Sequence, residues 1–340
     1  MFRSILRRLP VLLLQLVAIS FLTFSIVRML PGDPARMQLG PLAPEETVEK
    51  LRSELMLDRS IFEQYFAYLK KAFTGDLGAS YVNGTQVSDD IAAKLPATVE
   101  LLLCTLLSIA LVFIPWSVVS VAYDYRLPGR VLNAASRVYG FLAGALPDFF
   151  LALILIFIFF YLLGWLPGPE GRLGILDIEP PKVTGLLIVD SLIAGDMEVA
   201  GSAFSHLLLP VVTLTFVYGA PIFKMLLSSM DRNWHSDQVQ FARLLGIGRA
   251  SQVFFAFKVS AGPTIVMAGV VASYLLGGAV LIESIFNLNG LGQYAVQSVI
   301  SADYAPIQAF VLIAVVYVML VYLIVDTVIA LIDPRVRASR

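Results

Sequence analysis

Charge is scarce in this sequence: 14% of residues are charged and the formal net charge is −1. No basic block of the kind that neutralises phosphates occurs, so nucleic acid is not an expected partner. There is one cysteine, Cys104, inside an apolar run, which excludes a disulfide framework and a thiolate metal site. His206 and His235 are the two histidines, too few and too far apart to suggest a metal centre. No lysine follows a glycine, so the phosphate-cradling pattern G-x-x-x-x-G-K-[ST] is absent and the chain has no nucleotide loop of that kind. H-E-x-x-H and G-x-S-x-G are also missing, which argues against a membrane-embedded hydrolase. No catalytic residue and no resident cofactor is expected.

What is abundant is apolar surface. Hydrophobic residues make up 58% of the chain, well outside the balance of a soluble domain. A bilayer core of about 30 Å takes roughly 20 apolar residues in helix. Six windows meet that length: Leu9–Leu30, Ala97–Tyr123, Val138–Leu163, His206–Met230, Pro263–Phe286 and Pro306–Ile332. Arg3, Arg7 and Arg8 precede the first, which is too long for a signal segment and lacks a small-residue cleavage site, so it reads as a retained anchor. The expectation is an all-α integral membrane protein with six transmembrane helices.

Basic residues set the orientation. With six spans, Arg3, Arg7 and Arg8, then Arg126, Arg130 and Arg137, fall on one side. Lys224, Arg232, Arg243, Arg249 and Lys258 join them, as do Arg335, Arg337 and Arg340. Segment 165–205 is acidic instead, with Glu170, Asp177, Glu179, Asp190, Asp196 and Glu198 against Arg172 and Lys182. Both termini are therefore expected in the cytoplasm. The chain divides into a tip and first helix (1–30), an extracytoplasmic segment (31–96), a core of five further helices (97–334) and a short tail (335–340). Within 31–96 a helical pattern runs from Pro44 to Phe73, with Leu51, Leu55, Phe62, Tyr65, Phe66 and Leu69 at helix-like spacing. Turn signals follow at Thr74-Gly75-Asp76 and Asn83-Gly84, and Asn83-Gly84-Thr85 reads as a turn before it reads as a glycosylation acceptor.

Ionisable groups within the spans are few. Asp148 follows Pro147 near mid-span, either lining a pathway or held by backbone amides freed at the proline. Glu283 lies near the outer end of the fifth span, either as a gate residue paired with an arginine such as Arg28 or as a solvated interfacial acid. Arg28 sits where it can snorkel, and Asp326 near the inner interface. Such a thin set does not suit an ion-coupled carrier, which also predicts an inverted repeat that the halves do not display. Gly140 and Gly144 form a G-x-x-x-G, and Ser273, Gly277 and Gly278 a second small-residue face, suited to helix packing within this chain or against a partner. Pro115, Pro147, Pro210 and Pro221 predict irregular helices. Between the fourth and fifth spans, Gln238 to Arg249 is amphipathic, basic and broken by glycine. It predicts a short helix, a turn and a second short helix on the cytoplasmic side, a shape on which a separate motor protein can push. A helix lying on the membrane surface is the competing reading.

Together these pieces resemble one family, the membrane permeases of binding-protein-dependent ABC importers, in the dipeptide and oligopeptide branch. The resemblance rests on Arg7-Arg8 with Leu30-Pro31-Gly32-Asp33-Pro34, on Gly75 to Tyr81, and on Leu95-Pro96-Ala97-Thr98-Val99-Glu100-Leu101. It continues in Val280 to Phe286, Asn289-Gly290-Leu291-Gly292, Asp303-Tyr304, and Asp326 with Asp333-Pro334-Arg335-Val336-Arg337. The family's cytoplasmic loop carries an E-A-A-x-x-x-G pattern, matched here by Ala242-Arg243-Leu244-Leu245-Gly246, with Leu245 in place of the branch's usual lysine. The resemblance implies a MetI-like type I permease with an extracytoplasmic cap, in a bacterial inner membrane. It implies an ATPase-coupling loop within 231–262 that uses Ala242, Arg243, Gly246, Gly248 and Arg249. The implied partners are a second homologous permease, two cytoplasmic ATPases that hold ATP and Mg, a solute-binding protein, and membrane lipid. The implied cargo is a peptide, with nickel chelates, glutathione, opines and oligosaccharides as alternatives for the same machinery.

Overall fold

In the computed structural model the described residues are 2–29, 34–40, 42–54, 56–123 and 127–332. Among them the chain is helical, and the one strand-like pairing is the isolated bridge between Ala79 and Gln86. The expected Leu30–Asp33 motif, Arg126, and the tail from Asp333 lie outside the described residues.

Chain order is α1 (Phe2–Met29), α2 (Pro34–Leu39), α3 (Glu45–Glu54), α4 (Ile61–Phe73), α5 (Val87–Ala122), α6 (Leu127–Ala145) and α7 (Asp148–Leu155). α7 continues as a π-helical run, Ile156–Leu162. Then come α8 (Leu187–Ala194), α9 (Met197–Trp234), α10 (Asp237–Leu244), α11 (Arg249–Phe286), α12 (Leu291–Ile300) and α13 (Tyr304–Ile332).

Four helices, α5, α9, α11 and α13, are long and apolar enough to cross a membrane, and α6 with α7 makes a fifth if that pair is one span. The expected count of six is therefore not reproduced. α1 has 28 residues, and Leu14–Ile26 is its apolar stretch among those whose side chains are described. The third window is not one straight span either: α6 and α7 are bent by 107°. Leu146 and Pro147 are non-helical there, because proline brings no N–H to the ladder. The other windows located the apolar parts of longer helices. α9 and α11 have 38 residues each, about 57 Å at 1.5 Å per residue, so each extends past a core of about 30 Å.

The chain forms two compact units. One comprises Ala97–Leu288 with the end of α13 from Leu320. In it Phe113, Tyr139, Ile222, Phe223 and Val271 form an aromatic-rich core, with Phe113 stacked on Tyr139 at 5.0 Å. The Tyr139 hydroxyl donates to the Phe216 carbonyl at 2.8 Å. Glycine permits the closest approaches: a Cβ on Gly278 would collide with the Tyr218 hydroxyl, one on Gly219 with the Phe113 ring, and one on Gly269 with Val325. Gly278 thus packs as the small-residue face predicted, whereas Gly277, Gly140 and Gly144 face open space.

The other unit comprises Phe2–Pro96 and Asn289–Met319. The helical pattern expected from Pro44 to Phe73 is two helices, because Ser60 starts α4 with a reciprocal capping box to Glu63. Tyr65 is buried, shares a 2.7 Å hydrogen bond with Ser20 and donates to the Val17 carbonyl at 3.0 Å. Phe62 and Phe66 stay exposed, although Phe62 stacks on Phe21 at 5.2 Å. The Gly75 and Gly84 turns form as expected, each glycine at positive φ. Asp303 anchors the second turn: its buried carboxylate accepts from the Ser80 hydroxyl at 2.5 Å and from the Tyr81 amide at 3.2 Å.

Candidate functional site

The loop joining α9 to α11 is built on Trp234, the last residue of α9. Trp234 is buried with Leu226, Met230, Val239, Val253 and Ala256. The Arg243 guanidinium lies over its ring at 5.2 Å and that of Arg249 at 5.6 Å, two cation–π contacts to one indole. Arg249 also donates to the Ala122 carbonyl at the end of α5 and lies 5.9 Å from the Tyr123 ring. Asn233 donates to the Ser260 hydroxyl at 2.9 Å, tying the end of α9 to α11. The loop is thus rooted in an apolar cluster, with indole–guanidinium and side-chain-to-backbone contacts around it.

α10 ends in a Schellman motif. The Gly246 amide donates to the Arg243 carbonyl at 3.1 Å and the Ile247 amide to the Ala242 carbonyl at 3.0 Å. Gly246 has φ +72°, and an added Cβ there would meet no heavy atom within 4 Å. Glycine is needed for the left-handed backbone, not for close approach within this chain. Gly248 differs: it starts α11 at φ −58°, a conformation any residue adopts. Gln252, itself buried, donates to the Ile247 carbonyl at 2.6 Å and closes the turn. The second short helix expected after the turn is instead the first turns of α11, which runs unbroken through Pro263 to Phe286.

Of the expected residues, Arg243 and Arg249 meet at Trp234, Ala242 and Gly246 form the helix end, and Gly248 has no side-chain partner to offer. Phe241, Leu244 and Leu245 are exposed, Leu244 at 86%. Three large apolar side chains are thus exposed on a rooted, glycine-terminated knob. The sequence reading missed Trp234 and Gln252, and included Val239 only as one residue of the amphipathic stretch.

A second polar cluster lies in the same unit. Glu283 is 0% exposed and accepts from the Thr98 hydroxyl at 2.6 Å, so the solvated interfacial acid does not describe it. Two residues on, buried Glu100 pairs with Arg172 and accepts from the Ile188 amide at 2.8 Å. Thr98 and Glu100 belong to one motif of α5, and burial requires each carboxylate to have such partners. At the start of α8, Asp190 accepts from the Thr184 hydroxyl at 2.6 Å and from the amides of Val183, Thr184 and Gly185. These bonds, the Thr184 hydroxyl foremost, hold its carboxyl below the ordinary carboxylate range.

Asp148 lies on the far side of the α6–α7 break. It accepts from the Phe149 amide at 2.7 Å and from the Tyr218 hydroxyl at 3.2 Å. A freed amide at the proline does hold it, and Tyr218 on α9 adds a second donor. Among the described residues no group of three or more His, Cys, Asp or Glu could hold a metal ion.

Long apolar helices, one sharply broken span and a rooted helical loop define a polytopic helical membrane protein. Residues 114–338 match the family described as binding-protein-dependent transport system inner membrane component, and residues 1–102 its N-terminal counterpart. The chain belongs to this family and is a multi-pass inner-membrane permease component of a transport system. It is 34% identical to the "Probable D,D-dipeptide transport system permease protein" of Escherichia coli, over 96% of this chain and 94% of the relative. It is 32% identical to the di/tripeptide transport system permease protein of Pseudomonas aeruginosa over all of both chains. A glutathione transport system permease protein of Escherichia coli is 30% identical over 99% of each.

Proposed function

We propose that this chain is one half of a paired translocation path for small peptides, driven by two cytoplasmic ATPase subunits and supplied by an extracytoplasmic solute-binding protein. The observation that carries the reading is the loop between α9 and α11, rooted on Trp234 and presenting exposed Phe241, Leu244 and Leu245. Relatives named for dipeptides, di/tripeptides and glutathione support the cargo class, since all three are short peptides.

With both termini and this loop in the cytoplasm, as the basic residues favour, closure of the ATP-loaded subunits would carry the loop toward its counterpart on the second permease. A rooted loop transmits such a displacement because Arg249 links it to the end of α5 and Gln252 to α11. The helices would then move as rigid bodies, alternating access from the inner to the outer side. ATP and Mg would be held entirely by the partner subunits. Glu283 and Thr98, with Glu100 and Arg172, form the proposed outer gate, and Asp148 with Tyr218 the proposed pathway wall.

The loop is tested with Gly246→Val. A β-branched residue in the left-handed region costs about 2 kcal/mol or more, so the helix end is lost and coupling falls by at least about tenfold. Peptide uptake and binding-protein-stimulated ATP hydrolysis should both drop while the chain stays in the assembled complex. Normal rates for both would remove the loop from the mechanism.

A further inference from the structure

Between α6 and α9, floored by α5, lies a cavity of about 940 Å³. Its lining changes character along its length. At the end near the start of α6 and the end of α9 it presents Ser136, Arg137, Lys224 and Ser228. One to two helical turns further in, it presents Gly140, Phe141, Gly144, Val217 and Pro221, with no polar side chain among its lining there. The charged end lies toward the α9–α11 loop, and the apolar end toward the middle of the spans.

Three observations give this cavity a ligand chemistry. Arg137 and Lys224 are exposed and form no ion pair among the described residues, while Asp231 at the same end faces His235 at 3.5 Å. Ser120, which lines the floor, is fully buried and its hydroxyl has no hydrogen-bond partner among the described residues. Gly140 and Gly144, the G-x-x-x-G that should bring helices together, meet nothing within 4 Å and leave the side of the groove open. Phe141 beside them is 75% exposed.

We propose that this cavity seats one anionic phospholipid, its phosphate held between Arg137 and Lys224 and an acyl chain laid along Gly140, Gly144 and Pro221. The polar-to-apolar gradient matches an amphiphile whose head lies at the membrane interface and whose tail points inward. A dipeptide fits less well: it carries a charge at each end, and the inner end of this groove offers no polar group to receive the second. The site lies beside the α6–α9 contact that Tyr139 makes with Phe216, and α9 also carries Tyr218, the donor to Asp148, and Trp234, the root of the loop.

The test is native mass spectrometry of the full-length chain in detergent, titrated with phosphatidylglycerol and, separately, with phosphatidylcholine, inorganic phosphate and a dipeptide. The expected result is a preferential phosphatidylglycerol adduct. Basic residues near the surface attract anionic lipid, so the Arg137→Gln, Lys224→Gln double variant should weaken the adduct by at least about tenfold. Gly144→Leu, which has open space for its side chain, should also weaken it by obstructing the tail. Lys258→Gln, an exposed basic residue outside the lining, should leave it unchanged. Equal adducts in wild type and double variant would overturn the proposal, as would phosphatidylcholine binding equally well. Displacement of the lipid by inorganic phosphate would make this a free-anion site, and displacement by the dipeptide would make it part of the cargo path. Because this readout needs neither ATPase nor uptake, it succeeds or fails independently of the proposed peptide transport.

Discussion

Glu283 carries the sharpest contrast between chain position and environment. Its place near the end of a span suggests a wetted acid, yet it is fully buried against Thr98. If the pair holds the outer gate, Glu283→Gln should keep the fold and assembly, raise the basal ATPase rate of the complex, and loosen dependence on the binding protein. Unchanged basal and stimulated rates would reduce the pair to packing. Thr98→Val removes one donor to a buried carboxylate, a cost of about 1–3 kcal/mol that a melting curve in detergent should register. Asp190 supports a different prediction. Its folded-state value is depressed, so the stabilisation is complete above the ordinary carboxylate range and is lost as pH falls through the depressed value. The hydrogen-exchange protection factors at the amides of Val183, Thr184 and Gly185 should therefore fall on acidification, and should be low at every pH in Asp190→Asn. Pattern reading reached Glu283 through its motif but not its burial, because burial depends on Thr98, 185 positions earlier.

Among the elements, apolar windows found α5, α9, α11 and α13 but not their ends. Hydropathy marks where a helix contacts lipid and says nothing of the turns that continue into water, so 38-residue helices read as spans of ordinary length. The 107° break was foreshadowed by Pro147, although a proline inside an apolar run predicts a kink as readily as a full turn. The loop was legible in kind from Gly246, while its root on Trp234 was not, since cation–π contacts leave no periodic trace. The two glycines of the fifth span separate packing from mere composition. Gly278→Leu must displace Tyr218 and the hydroxyl that donates to Asp148, an overpacking cost of about 1–3 kcal/mol, whereas Gly277→Leu enters open space. A clearly lower melting temperature for the first variant alone is the expected outcome. Equal losses would mean that the Gly278–Tyr218 contact does not govern the packing of α9 on α11.

For the whole molecule, the scarcity of charge and the side on which it collects gave the membrane class and a topology. A reporter fused after Arg340 should read cytoplasm, and insertions near Gly84 or Gly195 should read the outside. An external carboxyl terminus would invert the placement of the α9–α11 loop and remove it from reach of any cytoplasmic ATPase. The central claim is that transport through this chain is driven by ATP hydrolysed in partner subunits. It is tested most directly by reconstituting the chain with its second permease, ATPases and binding protein in vesicles. Uptake of a labelled dipeptide is then measured with ATP held constant, with and without a protonophore. The account predicts uptake that requires ATP and this chain and is unaffected by the protonophore; uptake that collapses when the proton gradient is dissipated would contradict it.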